Sequence, residues 1–73
     1  MITVQVCSKS SGKGISGKKV FVSFSGITRG FTEAYTDSNG DAHLNADPGY
    51  GEVYVGGNKV HQGHLSGRVV VYI

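Results

Sequence analysis

Three histidines and one glycine-rich segment are the parts of this 73-residue sequence whose residue types and spacing could support chemistry. His61 and His64 stand three residues apart in "VHQGHLSG", and His43 lies in "DAHLNA". Imidazole nitrogens are common zinc ligands, but a zinc site needs three or four ligands in tetrahedral geometry. The histidines therefore predict either a metal site, completed by His43 or Asp41, or separate surface histidines.

The glycine-rich segment "GKGISGKK", residues 12–19, has the G-x-G-x-x-G spacing of dinucleotide-binding loops. Such loops hold a pyrophosphate only where a helix N-terminus follows the glycines. Here "KKVFVSFS" follows, and its alternation and its β-branched and aromatic residues predict a strand. Lys19 also stands where a phosphate-binding P-loop needs a Ser or Thr hydroxyl. We therefore interpret the segment as a loop and not as a nucleotide site.

Nucleophilic catalysis requires a Ser or Cys beside a His that an acid orients. Cys7, His43 and Asp41 provide the residue types, but no nucleophile-elbow or similar motif surrounds them. A chain of this length also has little concave volume for a substrate pocket. We expect a protein that is not an enzyme and that needs no cofactor.

Basic residues are concentrated in the first part of the chain, although the formal net charge is only +2. Residues 1–31 contain five basic residues and no acid. Lysines in a loop could contact a phosphate backbone, but single-strand binders interleave aromatic residues for base stacking, and none occurs between residues 8 and 20. The candidate anion-binding residues are Lys9, Lys13, Lys18 and Lys19.

The elements that must position these residues are strands, because apolar residues alternate with period two and twelve glycines disfavour helices. We predict turns at residues 26–30 and at Gly63, and a hairpin at Asn39-Gly40. The predicted strands are residues 2–7, 18–25, 31–37, 41–46, 50–55, 58–62 and 67–73. Seven short strands predict one all-β domain, residues 1–73, folded as a small antiparallel β-sandwich.

Three motifs occur in a fixed order along the chain. Gly12, Ile15, Gly17 and Val20 match G-x-P-[IV]-x-G-A-x-V, residues 36–40 match T-D-x-x-G, and Pro48-Gly49 with Tyr50, Val53 and Val55 approximates P-G-x-Y before a V-x-V strand. This order resembles carboxypeptidase regulatory-like and related transthyretin-like domains. The chain departs from the pattern at Gly14, Lys18, Ala42 and Tyr50. The resemblance implies an immunoglobulin- or transthyretin-like sandwich and a non-catalytic accessory or binding role, with no common site to carry over.

Some predicted strands carry apolar residues on both faces, although a strand with one face towards the core needs them on only one. Strand seven, "RVVVYI", is apolar on both faces, and Phe21 faces away from Val20 and Val22. Sandwich strands with one wet face should alternate. Either Phe21, Val70 and Tyr72 form an outward patch that binds a protein, with Tyr35 and Tyr54 next in line, or a small sheet wraps enough to bury both faces of a central strand.

Together these patterns predict a protein-binding or structural module that forms a homo-oligomer or joins a larger assembly. The alternatives are a sugar, anion or metal module using loop tips with His61 and His64, and a nucleic-acid binder using the lysine-rich loop. The sequence begins without a signal peptide, and "VVVYI" is too short to span a membrane, so we expect a cytoplasmic location. On size alone, a small viral or mobile-element protein is expected.

Overall fold

A computed structural model of the chain describes residues 1–25 and 30–73, so the predicted turn at 26–30 lies largely outside the described residues. Within the described residues there are seven strands and no helix, which confirms the all-β prediction. Among these residues, accordingly, no helix has the length and apolar character needed to cross a membrane. The strands are β1 (Ile2–Cys7), β2 (Lys19–Phe24), β3 (Phe31–Tyr35), β4 (Asp41–Leu44), β5 (Gly49–Val55), β6 (Asn58–Leu65) and β7 (Arg68–Tyr72).

The strands of the described ranges form two sheets, one of three strands in the order β4-β1-β7 and one of four in the order β3-β2-β5-β6. All pairs are antiparallel except β1 with β7, which run parallel. The prediction of a purely antiparallel fold is therefore wrong for this pair. Alternation along a strand reports which side is buried, but it is the same whether the neighbouring strand runs parallel or antiparallel.

The two sheets share one hydrophobic core, because each strand turns its alternate apolar residues towards the other sheet. Fully burying a Val, Leu or Ile side chain contributes about 1.5–3 kcal/mol each, so this set accounts for most of the driving force for folding. The buried cluster consists of Ile2, Val4, Val6, Val20, Val22, Ala42, Leu44, Val53, Val55, Leu65, Val69 and Val71. Phe24, Ala34, Ala46 and Val60 are partly buried and pack against this cluster.

The glycine-rich segment packs against the turn before β4, backbone against backbone. A Cβ atom at Gly14 would collide with the carbonyl group of Asn39. A Cβ atom at Gly40 would lie 2.7 Å from the carbonyl oxygen of Val6, and Gly40 has φ +85°. These two positions require glycine because no side chain fits between the segments. The glycine-rich segment is therefore a loop, as predicted. We call its close backbone contact with the turn before β4, at Gly14 and Gly40, the joint.

Thr36 stabilises the same joint through hydrogen bonds of its side chain and its backbone. It is a buried polar residue, 5% exposed. Its hydroxyl donates to the carbonyl of Ile15 at 2.6 Å and accepts from the backbone N–H of Lys18 at 2.9 Å. The backbone N–H of Thr36 also donates to the carbonyl of Lys18 at 2.9 Å. The threonine of T-D-x-x-G thus bonds the chain that follows β3 to the segment that precedes β2.

The predicted hairpin at Asn39-Gly40 is wrong, because β3 and β4 belong to different sheets. Gly40 has a positive φ, but Asn39 does not, since every positive φ among the described residues belongs to a glycine. The segment is a corner where the chain changes sheets. The turn with two successive positive φ values, +59° and +88°, is Gly56-Gly57, which joins β5 to β6.

The predicted turn at Gly63 is also wrong. β6 continues through it to Leu65, and Gly63 pairs with Gly51 of β5. Its φ of +144° is a conformation that a side chain rarely adopts, which explains why glycine suits this strand position. Glycine therefore marked an irregular strand residue here and not a chain reversal. The other strand ends differ from prediction by no more than two residues.

We predict that Thr36→Val lowers the free energy of unfolding by about 1–3 kcal/mol, because it leaves the Lys18 N–H and Ile15 carbonyl without their hydroxyl partner. Urea unfolding followed by circular dichroism measures the loss. Thr36→Ser keeps the hydroxyl and is the matched control, expected to lose less. Equal urea midpoints for wild type and Thr36→Val would contradict this assignment.

Candidate functional site

The outer side of the four-stranded sheet carries most of the exposed aromatic residues of the described chain. Because Val20 and Val22 of β2 face the core, the intervening Phe21 faces outwards. Phe21 pairs with Glu33 of β3 on one side and with Tyr54 of β5 on the other. The register therefore brings side chains from three neighbouring strands together around Phe21.

Three of the outward-facing rings form a connected group. Phe21 and Phe31 stack with centroids 5.1 Å apart and planes at 26°, and Tyr54 meets Phe21 edge-on at 6.0 Å. Phe31 and Tyr35 are 63% and 66% exposed. Exposed apolar groups that are contiguous mark interaction sites more often than scattered ones do. With Tyr35 and Tyr50, which lie on the same side of the sheet, these rings make up what we name the aromatic face: Phe21, Phe31, Tyr35, Tyr50 and Tyr54.

The charged groups on the aromatic face are paired with one another. Lys19 Nζ lies 3.2 Å from Glu33 Oε2, and Lys59 Nζ lies 3.5 Å from Glu52 Oε2. The Tyr54 hydroxyl donates to Glu52 Oε1 at 3.1 Å, and this hydrogen bond raises the pKa of the phenol above its ordinary value. Two cations and two anions cancel, so the charged side chains that the structure describes on this surface balance one another. Exposed pairs of this kind add little to stability.

A groove of about 430 Å³ lies on this side of the sheet, beside the turn that joins β5 to β6. Its volume falls within the range of about 300–1,000 Å³ that is typical of binding pockets. Because of this groove the aromatic face is not flat, and a side chain of a binding partner could fill it. It is lined by Lys19, Phe21, Ser23, Tyr54, Gly56 and Gly57.

The predicted partner-binding residues lie on two separate surfaces. Phe21, Tyr35 and Tyr54 come together on the aromatic face, but Val70 and Tyr72 belong to β7 in the other sheet. The expectation that all are neighbours is wrong, because alternation shows which side a residue takes and not which sheet its strand joins. β7 is also not buried on both faces, since Val70 is 43% and Tyr72 53% exposed.

Two members of the aromatic face, Phe31 and Tyr50, were not among the candidate residues. The alternation of "FTEAY" places Phe31 beside Tyr35, and that of "GYGEVYV" places Tyr50 on the side of Tyr54, so a signal was present. What the sequence lacked was the order of strands in the sheet. Only that order shows that β3, β2 and β5 bring their outward residues together.

The three histidines are not brought together. His61 pairs with the buried Val53, whereas His64 pairs with the exposed Tyr50 and contacts its ring edge-on at 5.3 Å. The two imidazoles therefore take opposite sides of β6, as residues three apart in a strand do. His43 lies on β4 in the other sheet, so the proposed metal set does not form.

A different cluster surrounds His43, where ligand atoms of Asp37, Asp41 and His43 lie within 4.8 Å of one another. Asp41 already forms an ion pair with Arg68 at 2.8 Å. Backbone N–H groups of Asp41 and Asn39 donate to Asp37 Oδ1 at 3.0 and 2.9 Å, and these bonds hold the pKa of Asp37 below its ordinary value of 3.8. Both carboxylates thus have structural partners.

The four candidate anion-binding lysines are exposed but differ in setting. Lys19 is paired with Glu33 on the aromatic face and is not part of a free basic surface. Lys9 and Lys18 line a second groove of about 400 Å³ near the end of β7. The lysines therefore do not present one continuous basic patch, and phosphate binding stays a prediction.

Comparison with protein-family models, with curated proteins and with solved structures gives no match. The interpretation of the site therefore depends on its own geometry. Two exposed surfaces result from that geometry: the aromatic face of the four-stranded sheet, and the outer side of β7, where Val70 and Tyr72 lie.

We predict that Asp37→Asn lowers the melting temperature at neutral pH, because the asparagine loses the charge that the turn N–H groups stabilise. Since the folded pKa of Asp37 is depressed, its contribution is present above pH 3.8 and is lost as pH falls through the lower folded value. Circular dichroism melts should show a difference from wild type that disappears in strong acid. Asp47→Asn, at an exposed position between β4 and β5, is the control, and a pH-independent difference for Asp37→Asn would refute the assignment.

Proposed function

We propose that this chain is a non-enzymatic protein-binding module and that the aromatic face is its interface. The observation that carries the proposal is an exposed group of stacked rings on a regular sheet, surrounded by charges that are already paired. Protein interfaces favour an aromatic core and a polar rim. The paired lysines and glutamates supply such a rim around Phe21.

A protein partner suits this surface better than a sugar does. Carbohydrate recognition needs free polar groups, but Glu52 is engaged by Tyr54 and Lys59, and Glu33 by Lys19. Phe21 and Phe31 also stack on each other, so one face of each ring is already covered. Displacing water from such a surface favours a partner that is itself apolar.

The neutrality of the aromatic face separates this function from phosphate binding. Within residues 1–25 and 30–73, its two ion pairs leave no excess lysine charge on this face to attract a polyanion. Binding driven by apolar burial weakens little as salt is raised, whereas each phosphate contact makes the affinity strongly salt-dependent. Salt dependence is therefore a direct criterion between the two functions.

We also infer that the fold is a β-sandwich of the transthyretin-like kind. The two-sheet arrangement around one core supports this inference. So do the structural roles of Gly40 and Thr36, which stand at fixed positions of T-D-x-x-G. Such a small domain has a marginal core, which favours a module that works in a homo-oligomer or a larger assembly.

We predict that Phe31→Ser or Tyr35→Ser weakens partner binding about tenfold or more, as expected for aromatic residues at an interface. The matched control is Tyr72→Ser, the same kind of change on the opposite sheet, where Tyr72 is 53% exposed. Tagged wild-type and variant proteins are compared by pull-down from lysate at low and high salt, and the captured protein is then titrated in purified form.

The proposal requires a discrete partner that survives high salt, is lost in both face variants and is retained by Tyr72→Ser. Capture that disappears at high salt or after nuclease treatment would contradict it and favour the lysine-rich loop. Equal loss in Tyr72→Ser would show that the aromatic face is not the specific interface.

A further inference from the structure

The three-stranded sheet has one strand fewer than the four-stranded sheet, and β7 forms one of its edges. β3 contacts β4 at one side of the molecule, and β6 contacts β7 at the other, among the described strands. Val60 and His61 of β6 are only half-buried, and the second groove, of about 400 Å³, opens beside Val60, Tyr72 and Ile73. A strand placed beside β7 would extend the three-stranded sheet next to this groove.

β7 has backbone groups available on that side. The N–H of Ile73 donates to the carbonyl of Cys7, and the carbonyl of Ile73 accepts from Lys9, so Ile73 bonds towards β1. Backbone direction alternates along a strand, so Val69 and Val71 also bond towards β1. The N–H and C=O groups of residues 68, 70 and 72 therefore point outwards, and no described strand lies beside β7 there.

The other sheet edges within the described residues carry features that discourage further pairing. β4 has only four residues and includes Asp41 and His43. β3 has Glu33 at its centre. β6 contains an irregular register near Val53 and a glycine at position 63. Charges, short length and bulges are the usual protections of an edge strand.

β7 lacks these protections. After Arg68 it reads Val-Val-Val-Tyr, with no charge, glycine or proline. Arg68 itself is held by Asp41 at 2.8 Å, so its charge is already compensated. Val70 remains 43% exposed at the centre of the strand. An unprotected, regular, apolar edge is a template for a further strand.

We propose that β7 pairs antiparallel with β7 of a second copy of this chain, about a two-fold axis at Val70. The three-stranded sheets of the two copies then form one continuous sheet. In this register Val70 faces Val70 and Arg68 faces Tyr72, and each facing pair exchanges two backbone hydrogen bonds. The inference does not rest on the proposed function, because it uses the edge of the other sheet.

A second copy suits this edge because β7 is complementary to itself. The two-fold register sets an apolar residue against its own copy and places no like charges opposite each other. It also sets Arg68, whose charge Asp41 already compensates, against an uncharged tyrosine. A two-fold contact of identical edges closes on itself, so it produces a dimer and not a fibre.

The decisive variant is Val70→Pro. It removes an N–H that faces the partner, while the bonds from β7 to β1 stay intact, and proline is tolerated at an outward-facing edge position. We expect sedimentation equilibrium to show a dimer for wild type and a dissociation constant raised about tenfold or more for Val70→Pro. Val70→Thr keeps the N–H and the β-branched shape, and is expected to dimerise like wild type.

Charge exchange tests the register independently of proline. Val70→Lys and Val70→Asp should each weaken the dimer when alone, because residue 70 faces its own copy. An equimolar mixture of the two variants should recover the dimer as a heterodimer. Circular dichroism melts of each variant at low concentration check that the monomer is folded.

Three results would overturn the proposal. Wild type could sediment as a monomer throughout the concentration range, Val70→Pro could dimerise as well as wild type, or the mixed charge variants could stay apart. A dimer lost in Tyr35→Ser but kept in Val70→Pro would place self-association on the aromatic face. That result would support the proposed function while refuting pairing through β7.

Discussion

The fold depends on one close approach of two backbones, where the glycine-rich segment meets the turn before β4. Gly14 and Gly40 lie against each other with no space for a Cβ atom on either. Around them, the N–H of Val6 donates to the carbonyl of Gly40 at 2.8 Å, and that of Ile15 donates to the carbonyl of Val6 at 2.8 Å. The joint therefore binds β1 to two of the segments through which the chain changes sheets, the one after β1 and the one before β4.

This joint determines where function can lie. Gly14, Gly40 and the Thr36 hydroxyl are committed to structure, so the segment whose spacing matches a nucleotide loop packs against protein at Gly14 and is hydrogen-bonded at Ile15. The exposed groups that could bind a partner lie on the aromatic face and at the β7 edge, which belong to different sheets. Because these surfaces are separate, a dimer formed through β7 would still present two aromatic faces to other proteins.

The sequence predicted the strands and their buried sides well, but it predicted poorly which strands lie next to one another. Alternation correctly placed Val20 and Val22 inside and Val70 and Tyr72 outside, because that pattern depends only on strand geometry. It could not show that Phe21 and Tyr72 lie in different sheets, since strand order arises from long-range pairing. The predicted turn at Gly63 was wrong for a different reason: glycine is suited both to a turn and to an irregular residue within a strand.

The most direct test of this account compares two glycine-to-alanine variants by urea unfolding. Neither Gly14 nor Gly30 has a positive φ, but a Cβ atom meets the Asn39 backbone at Gly14 and open space at Gly30. Gly14→Ala should lose about 3 kcal/mol or more of unfolding free energy through overpacking, whereas Gly30→Ala should be nearly neutral. Equal stability of the two variants would contradict the claim that the glycine-rich segment is a structural joint.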